Sequence, residues 1–292
     1  MARASLLLAV LLAAQPPAAP PDTEIYLASF ALNSERAIGR PVNITKSPGY
    51  DNQPSFTPDG AAVFYTSMRG EGNQTDIYRY DIASGATSRL TDTPESEYSP
   101  TVTPDGSHFT VIRVEADRTQ RLWRFSADGH EAEVLLAGVK PVGYHAWSDD
   151  HTLALFVLGS PATLQLANLS TGTTEILATG INRSIQRIPG GGISFVQRVT
   201  AEGRTTLSIR ELNPKTKAIT PLVDAVEGAT EADCAWTPDG VLVMAVRDVL
   251  YGWRKGQGGW KALVNLTDLG LHGVSRIAIS PKGDRIAFVA QP

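Results

Sequence analysis

The sequence predicts an all-β protein: a six-bladed β-propeller of four-stranded antiparallel blades. Two observations carry that prediction. First, a tight-turn motif recurs as Phe56-Thr57-Pro58-Asp59-Gly60, Val102-Thr103-Pro104-Asp105-Gly106 and Trp236-Thr237-Pro238-Asp239-Gly240. Weaker echoes lie at 147–151, 188–192 and 279–283. Equivalent positions 58, 104, 149, 189, 238 and 281 are 46, 45, 40, 49 and 43 residues apart, and a repeat of about 40–50 residues is the period of a propeller blade. Second, apolar residues recur with a period near 2, and no convincing amphipathic helix interrupts them. In the motif, proline presets a negative φ, and Asp-Gly is expected to supply the positive φ of a hairpin turn.

In chain order, residues 1–21 stand apart. Arg3 precedes a short apolar run, 6–14, and a small, Pro-rich stretch, 15–21. This layout predicts a secretory signal peptide, and the run is too short to span a bilayer. A periplasmic or secreted location is expected. Residues 22–292 are expected to be the propeller. Strands at 24–30 and 41–45 come first. Blade one follows at 52–57, 61–66, 76–81 and 87–91, and blade two at 97–103, 108–114, 121–125 and 133–136. Blade three spans 143–148, 153–158, 163–168 and 175–177, and blade four 183–188, 192–198, 206–211 and 218–222. Blade five uses 231–237, 241–246, 249–254 and 261–264. Only two strands, 274–280 and 285–290, remain for the sixth. Pairing 24–30 with 285–290 completes that blade and removes the exposed sheet edges.

Composition narrows the function classes. The chain has 292 residues, 42% hydrophobic content and a formal net charge of −4. Without a Lys/Arg run, an acidic chain does not fit nucleic-acid binding. Cys234 is the single cysteine, so no intramolecular disulfide forms, and it is expected to be a small core residue. No other apolar run is long enough for a transmembrane helix.

Phe56 to Gly60, Ile77-Tyr78-Arg79-Tyr80-Asp81, Gly85 and Leu90-Thr91 resemble the propeller repeats of the TolB family. The resemblance covers residues 22–292 and is clearest in units one, two and five. It implies the fold. TolB is a periplasmic component of the Tol–Pal envelope system and carries an α/β domain before its propeller. No room for such a domain is expected between the leader and Glu24, so the resemblance implies the fold rather than the Tol–Pal role. Similar repeats form the gating propeller of prolyl oligopeptidase-like peptidases, whose separate hydrolase domain is not expected here.

Catalytic signals are absent from the sequence. No Gly-x-Ser-x-Gly elbow occurs. The histidines, His108, His130, His145, His151 and His272, show no metal-ligand spacing. His145 sits in a mostly apolar column of inner-strand residues, which suits a packing histidine. One carboxylate per Asp-Gly turn is too few for calcium. No helix follows Gly190-Gly191-Gly192, so it is not a phosphate cradle. The Gly- and Trp-rich 252–260 reads as the outer hairpin of blade five. No metal and no cofactor are expected.

The remaining candidate is geometric. Inner strands surround a central channel, and their first residues line one mouth. These are Asp51, Asn52, Glu97, Tyr98, Tyr144, Arg183, Glu231, Asp233 and Arg276. A few convergent polar groups in a concave site are the default binding hypothesis. The expected function is therefore an exported, monomeric, non-enzymatic module that binds a protein or peptide partner in the bacterial cell envelope. The alternative is a channel-centred hydrolase or lyase acting on carbohydrate or peptide.

Overall fold

The structure, a computed structural model, describes residues 20–32, 34, 36–69 and 74–292. Residues 1–19, nearly all of the expected leader, lie outside the described residues. Six four-stranded antiparallel sheets form the ring. Blade one is β3 (Asp51–Phe56), β4 (Ala62–Ser67), β5 (Asp76–Asp81) and β6 (Thr87–Arg89). Blade two is β7 (Ser96–Val102), β8 (His108–Val114), β9 (Gln120–Ser126) and β10 (Ala132–Leu135). Blade three is β11 (Val142–Trp147), β12 (Thr152–Val157), β13 (Thr163–Asn168) and β14 (Thr173–Thr179). Blade four is β15 (Ile181–Arg187), β16 (Ile193–Ala201), β17 (Arg204–Leu212) and β18 (Ile219–Asp224). Blade five is β19 (Cys234–Trp236), β20 (Val241–Val246), β21 (Val249–Arg254) and β22 (Lys261–Asn265). A one-turn 3-10 helix follows, Leu266–Leu269, which the strand pattern did not predict.

Blade six joins the two ends of the chain. β23 (Arg276–Ile279) and β24 (Arg285–Ala290) are completed by β1 (Glu24–Ser29) and β2 (Val42–Asn43). The β1–β24 ladder runs from Glu24 opposite Ala290 to Ser29 opposite Arg285.

The recurring turn has a different geometry from the hairpin expected. Only the glycine takes a positive φ: Gly60 at 71°, Gly106 at 74° and Gly240 at 85°. The Gly60 N–H closes an i→i+3 turn on the Thr57 carbonyl at 2.8 Å. Side chains complete it. The Thr57 hydroxyl donates to Asp59 Oδ1 at 2.6 Å and accepts from the Ala62 N–H at 3.0 Å. Thr103–Asp105 and Thr237–Asp239 repeat the hydroxyl–carboxylate bond. Thus Thr-x-Asp-Gly is a type I turn followed by a left-handed glycine, the arrangement that places Gly fourth. Hydrogen bonds from Ser107 and Thr103 hold the Asp105 carboxyl down at about 2.

Packing lies between blades. Successive side chains of a strand point to opposite faces. In β4, Val63 and Tyr65 pack against Ile25 and Val289 of blade six, while Ala62 and Phe64 pack against Phe109 and Val111 of blade two. In β12, Leu153 and Leu155 face Ile112 of blade two, and Ala154 and Phe156 face Ile185 and Phe195 of blade four. Because both faces are covered, these second strands are apolar runs rather than alternating ones. Every residue of β4 is buried.

The Leu-Thr of the repeat also gains a cause. The Thr91 hydroxyl accepts from the Ile77 N–H at 2.9 Å and donates to Glu97 Oε2 at 3.1 Å. Thr45 likewise accepts from the Ile25 N–H at 3.0 Å and contacts Glu24. One residue type thus ties the outer strand to its own blade and to a buried carboxylate.

Candidate functional site

Strand direction fixes which loops share a face. Each inner strand runs from one mouth of the channel to the Pro-Asp-Gly turn at the other. Each second strand returns, so its hairpin to the third strand lies on the first mouth. In blade four that hairpin is long. β16 and β17 have nine residues each, against six or seven in the other second strands. Residues 200–206 are exposed and rise beside the mouth as an arm.

The central channel holds a cavity of about 630 Å³. One end is bounded by Tyr144, Arg183, Asp233 and Arg276, and the other by turn prolines such as Pro58 and Pro281. A second cavity of about 290 Å³ adjoins it, lined by Tyr50, Tyr98 and Tyr144 with Ile112 and Leu158. Tyr144 and Gln53 belong to both walls.

Asp233 organises the charges. Arg183 donates to its Oδ2 from Nε at 3.0 Å and from Nη2 at 2.6 Å. Arg276 Nη1 lies 3.6 Å from Oδ1. Arg276 Nη2 donates to the Tyr144 hydroxyl at 2.7 Å. Burial works against the Arg276 charge, yet Asp233 and the neighbouring tyrosines outweigh it and raise its pKa. Burial pushes the Tyr50 hydroxyl up to about 12.

The nine predicted mouth residues separate into three sets. Tyr98, Tyr144, Arg183, Asp233 and Arg276 line the two cavities. Glu231 is exposed beside them, its Oε2 3.7 Å from Arg183 Nε. Asp51, Asn52 and Glu97 are buried, at 1%, 6% and 0% exposure, away from both walls. Glu97 is held by Thr91, Thr93 and Arg113, between blades one and two. Tyr50 was not anticipated. It lies one residue before its strand begins, so no repeat position marks it.

Backbone geometry sets these orientations. The β3/β4 and β7/β8 ladders each carry a bulge, at Gln53-Pro54 and Ser99-Pro100. Gln53 and Ser99 take φ of 57° and 55°, a left-handed conformation uncommon outside glycine. Gln53 Oε1 accepts from the Thr66 hydroxyl and the Ser99 N–H, both at 2.8 Å, locking two blades together. Bulges of this kind re-aim side chains at functional sites. His145, on the channel wall, bonds Thr110 Oγ1 through Nε2 at 2.7 Å, and burial lowers its pKa to about 4. Cys234 is buried, which pushes its thiol up to about 12, outside the range of a reactive thiolate. Among the described residues no group of three or more His, Cys, Asp and Glu is placed to hold a metal ion. No helix of the described residues is long and apolar enough to cross a membrane.

Glu97 supports a pH prediction. Burial raises its pKa from 4.5 to about 7, against the lowering effect of Thr93, Arg113 and Thr91. A carboxyl whose folded pKa is raised contributes stability below its unfolded value, and that contribution is lost as pH rises through the folded value. The expected result is that stability falls between about pH 4.5 and 7 relative to Glu97→Gln. The difference should be on the order of 1–3 kcal/mol, since one pKa unit is worth about 1.4 kcal/mol. Asp51 titrates in the same sense, to about 6, so the comparison of wild type with the single variant is needed. Urea denaturation across that window measures it. A difference independent of pH refutes it.

No protein-family model matches the chain. A stretch of 63 residues is 45% identical to the Tol-Pal system protein TolB of Bordetella pertussis, covering 22% of this chain and 13% of that protein. The TolB of Francisella tularensis subsp. holarctica is 37% identical over 57 residues, 20% of this chain and 13% of that protein. Among solved structures, a protein of Agrobacterium tumefaciens described as a TolB superposes with a TM-score of 0.69 at 16% identity, covering 92% of this chain and 99% of that one. An oligogalacturonate lyase of Vibrio parahaemolyticus gives 0.59 at 15% identity, over 86% and 80% of the two chains. The structural likenesses establish the fold, and the local identities agree with the repeat motif. The chain is a TolB-like propeller.

Proposed function

We propose that this TolB-like propeller is an exported, non-catalytic binding module of the bacterial cell envelope that holds a protein or peptide partner at the channel mouth. One observation carries the reading. The turns at the far end recur from blade to blade, while the mouth brings together tyrosines and arginines that differ from blade to blade. Recurrence is what the fold requires, whereas divergent polar and aromatic groups around a cavity are available to a ligand. Tyrosine and arginine are enriched among binding hot spots. The envelope location is supported by the TolB identities and by the leader-like composition of residues 1–21. The structural likeness to an oligogalacturonate lyase supports a second reading, a channel-centred lyase, with the arginines of the wall as its favouring feature.

The test is affinity capture from envelope extract, with partners identified by mass. Tyr144→Ala is expected to weaken capture at least about tenfold, roughly 1.4 kcal/mol. Lys255→Ala, on the exposed outer hairpin of blade five, should leave it unchanged. Capture that survives the first change and fails with the second places the binding face on the outer rim instead. Turnover of oligogalacturonate by the purified protein favours the lyase.

A further inference from the structure

The face opposite the mouth is divided by charge. First and third strands of every blade run away from the mouth, so the turns that follow them gather around the far end of the channel. Blades one, two and three are consecutive in the ring, and so are blades four, five and six. The far turns of blade one carry Asp59 and Asp81, those of blade two Asp105, Asp128 and Glu131. Blade three adds Asp149 and Asp150. No lysine or arginine stands in these turns, residues 57–60, 81–86, 103–107, 126–131, 148–151 and 168–172. Among the described residues only Asp81 of these carboxylates has an ion-pair partner, Arg79 at 3.1 Å. Hydrogen bonds from Thr57, Ser107 and Ser126 hold Asp59, Asp105 and Asp128 below the usual carboxylate range, so they stay anionic.

The far turns of the other three blades are basic. Blade four has Lys215 and Lys217, with Arg187 just before its inner turn, and blade five has Arg254 and Lys255. Blade six has Lys282, Arg36 and Arg40. All these cations are exposed. Their anions are fewer. Arg254 bonds Asp239 at 2.6 Å, Lys255 lies 3.1 Å from Glu211, and Asp284 accepts from the Ser280 hydroxyl at 2.8 Å. Lys217 reaches across the seam to Glu175 of blade three. Arg187, Lys215 and Lys282 make no ion pair among the described residues.

This division selects the partner. A membrane surface or a nucleic acid presents one sign of charge and is repelled by half of the face. A second copy of the chain presents both signs in matching halves. Two copies can meet face to face about a two-fold axis that lies along the boundary between the halves. Blade one of each then lies over blade six of the other, two over five, and three over four. Every acidic blade faces a basic one, the self-complementarity that an isologous contact needs.

We infer that the far face is a self-association surface, on which a second copy of this chain docks with acidic half on basic half. Both mouths then point outward, so the site proposed above stays open in each copy.

The test is sedimentation velocity of the full chain. A dimer is expected at low salt, and raising salt from about 0.02 to 0.5 M should weaken it at least about tenfold, as screening requires. Two pairs of changes avoid the carboxylates that hold their own turns. Glu131→Lys with Asp150→Lys puts lysine opposite the basic blades, and Lys215→Glu with Lys255→Glu puts glutamate opposite the acidic ones. Each pair should weaken self-association at least about tenfold, roughly 1.4 kcal/mol. An equimolar mixture of the two variants should associate more tightly than either alone, because each new lysine then meets a new glutamate. Misfolding would not give that rescue, and calorimetric midpoints close to wild type check folding directly. Tyr144→Ala, at the other end of the channel, should dimerise like wild type, so loss of partner capture and loss of the dimer are separable. A monomer at low salt up to millimolar protein, association indifferent to salt, or a mixture no tighter than its components overturns the inference.

Discussion

Deleting residues 22–30 is expected to abolish the cooperative fold. The segment supplies β1, which lies between β24 and β2 and gives blade six its third strand. Ile25, Leu27, Ala28 and Phe30 are 0%, 8%, 3% and 3% exposed. Ile25 and Leu27 pack toward blade one, while Ala28 and Phe30 pack with the core shared by blades five and six. Burying a Leu, Ile or Phe side chain is worth about 1.5–3 kcal/mol. Three of them together approach or exceed half of a typical domain stability of about 5–15 kcal/mol. The deletion also strips six residue pairings from β24 and exposes its edge. Urea denaturation should show a lost or much lowered midpoint, accompanied by rapid proteolysis. Unchanged midpoints would show that the ring does not depend on this strand.

Arg276→Glu is the second large effect, and the structure changes its expected character. The sequence places Arg276 at the channel mouth, where an exposed side chain could be reversed with little effect on folding. Its side chain is only 14% exposed, bonded to Tyr144 and beside Asp233. Reversal places a carboxylate beside Asp233 with little water to screen it. Breaking a buried pair by losing one partner costs about 3–5 kcal/mol, and like charges add to that. The expected result is a stability loss of that order, partly recovered by Asp233→Asn in the double variant. Calorimetric midpoints measure both. A neutral Arg276→Glu, or no recovery, would mean that the cluster around Asp233 does not hold the mouth together. For the same reason, Tyr144→Ala is the cleaner variant for partner capture.

The fold was largely readable because the repeat is written in backbone chemistry. A proline and a glycine at fixed spacing mark each turn, and strand boundaries between them follow from length. Closure followed from counting: two strands left over at each end must pair or leave edges. The 3-10 turn at Leu266–Leu269 escaped, since a single turn has no periodicity to read.

What the sequence could not decide is which way each mouth residue points. Asp51 and Glu97 occupy matching positions at the start of their inner strands, and both turn into the fold, toward the threonines and arginines of neighbouring strands. Tyr98, one residue further on, reaches a cavity wall. In a strand, one residue of offset reverses the face, and the bulges at Gln53-Pro54 and Ser99-Pro100 shift that parity part-way along. The sequence therefore determined six blades, their order and their closure, because those depend on local turns and chain length. Only the tertiary structure turned Tyr98, Tyr144, Arg183, Asp233 and Arg276 toward the cavities, buried Asp51, Asn52 and Glu97, and added Tyr50 to the same mouth. They come from different blades, and their convergence depends on the pitch of the closed ring and the local register of each inner strand.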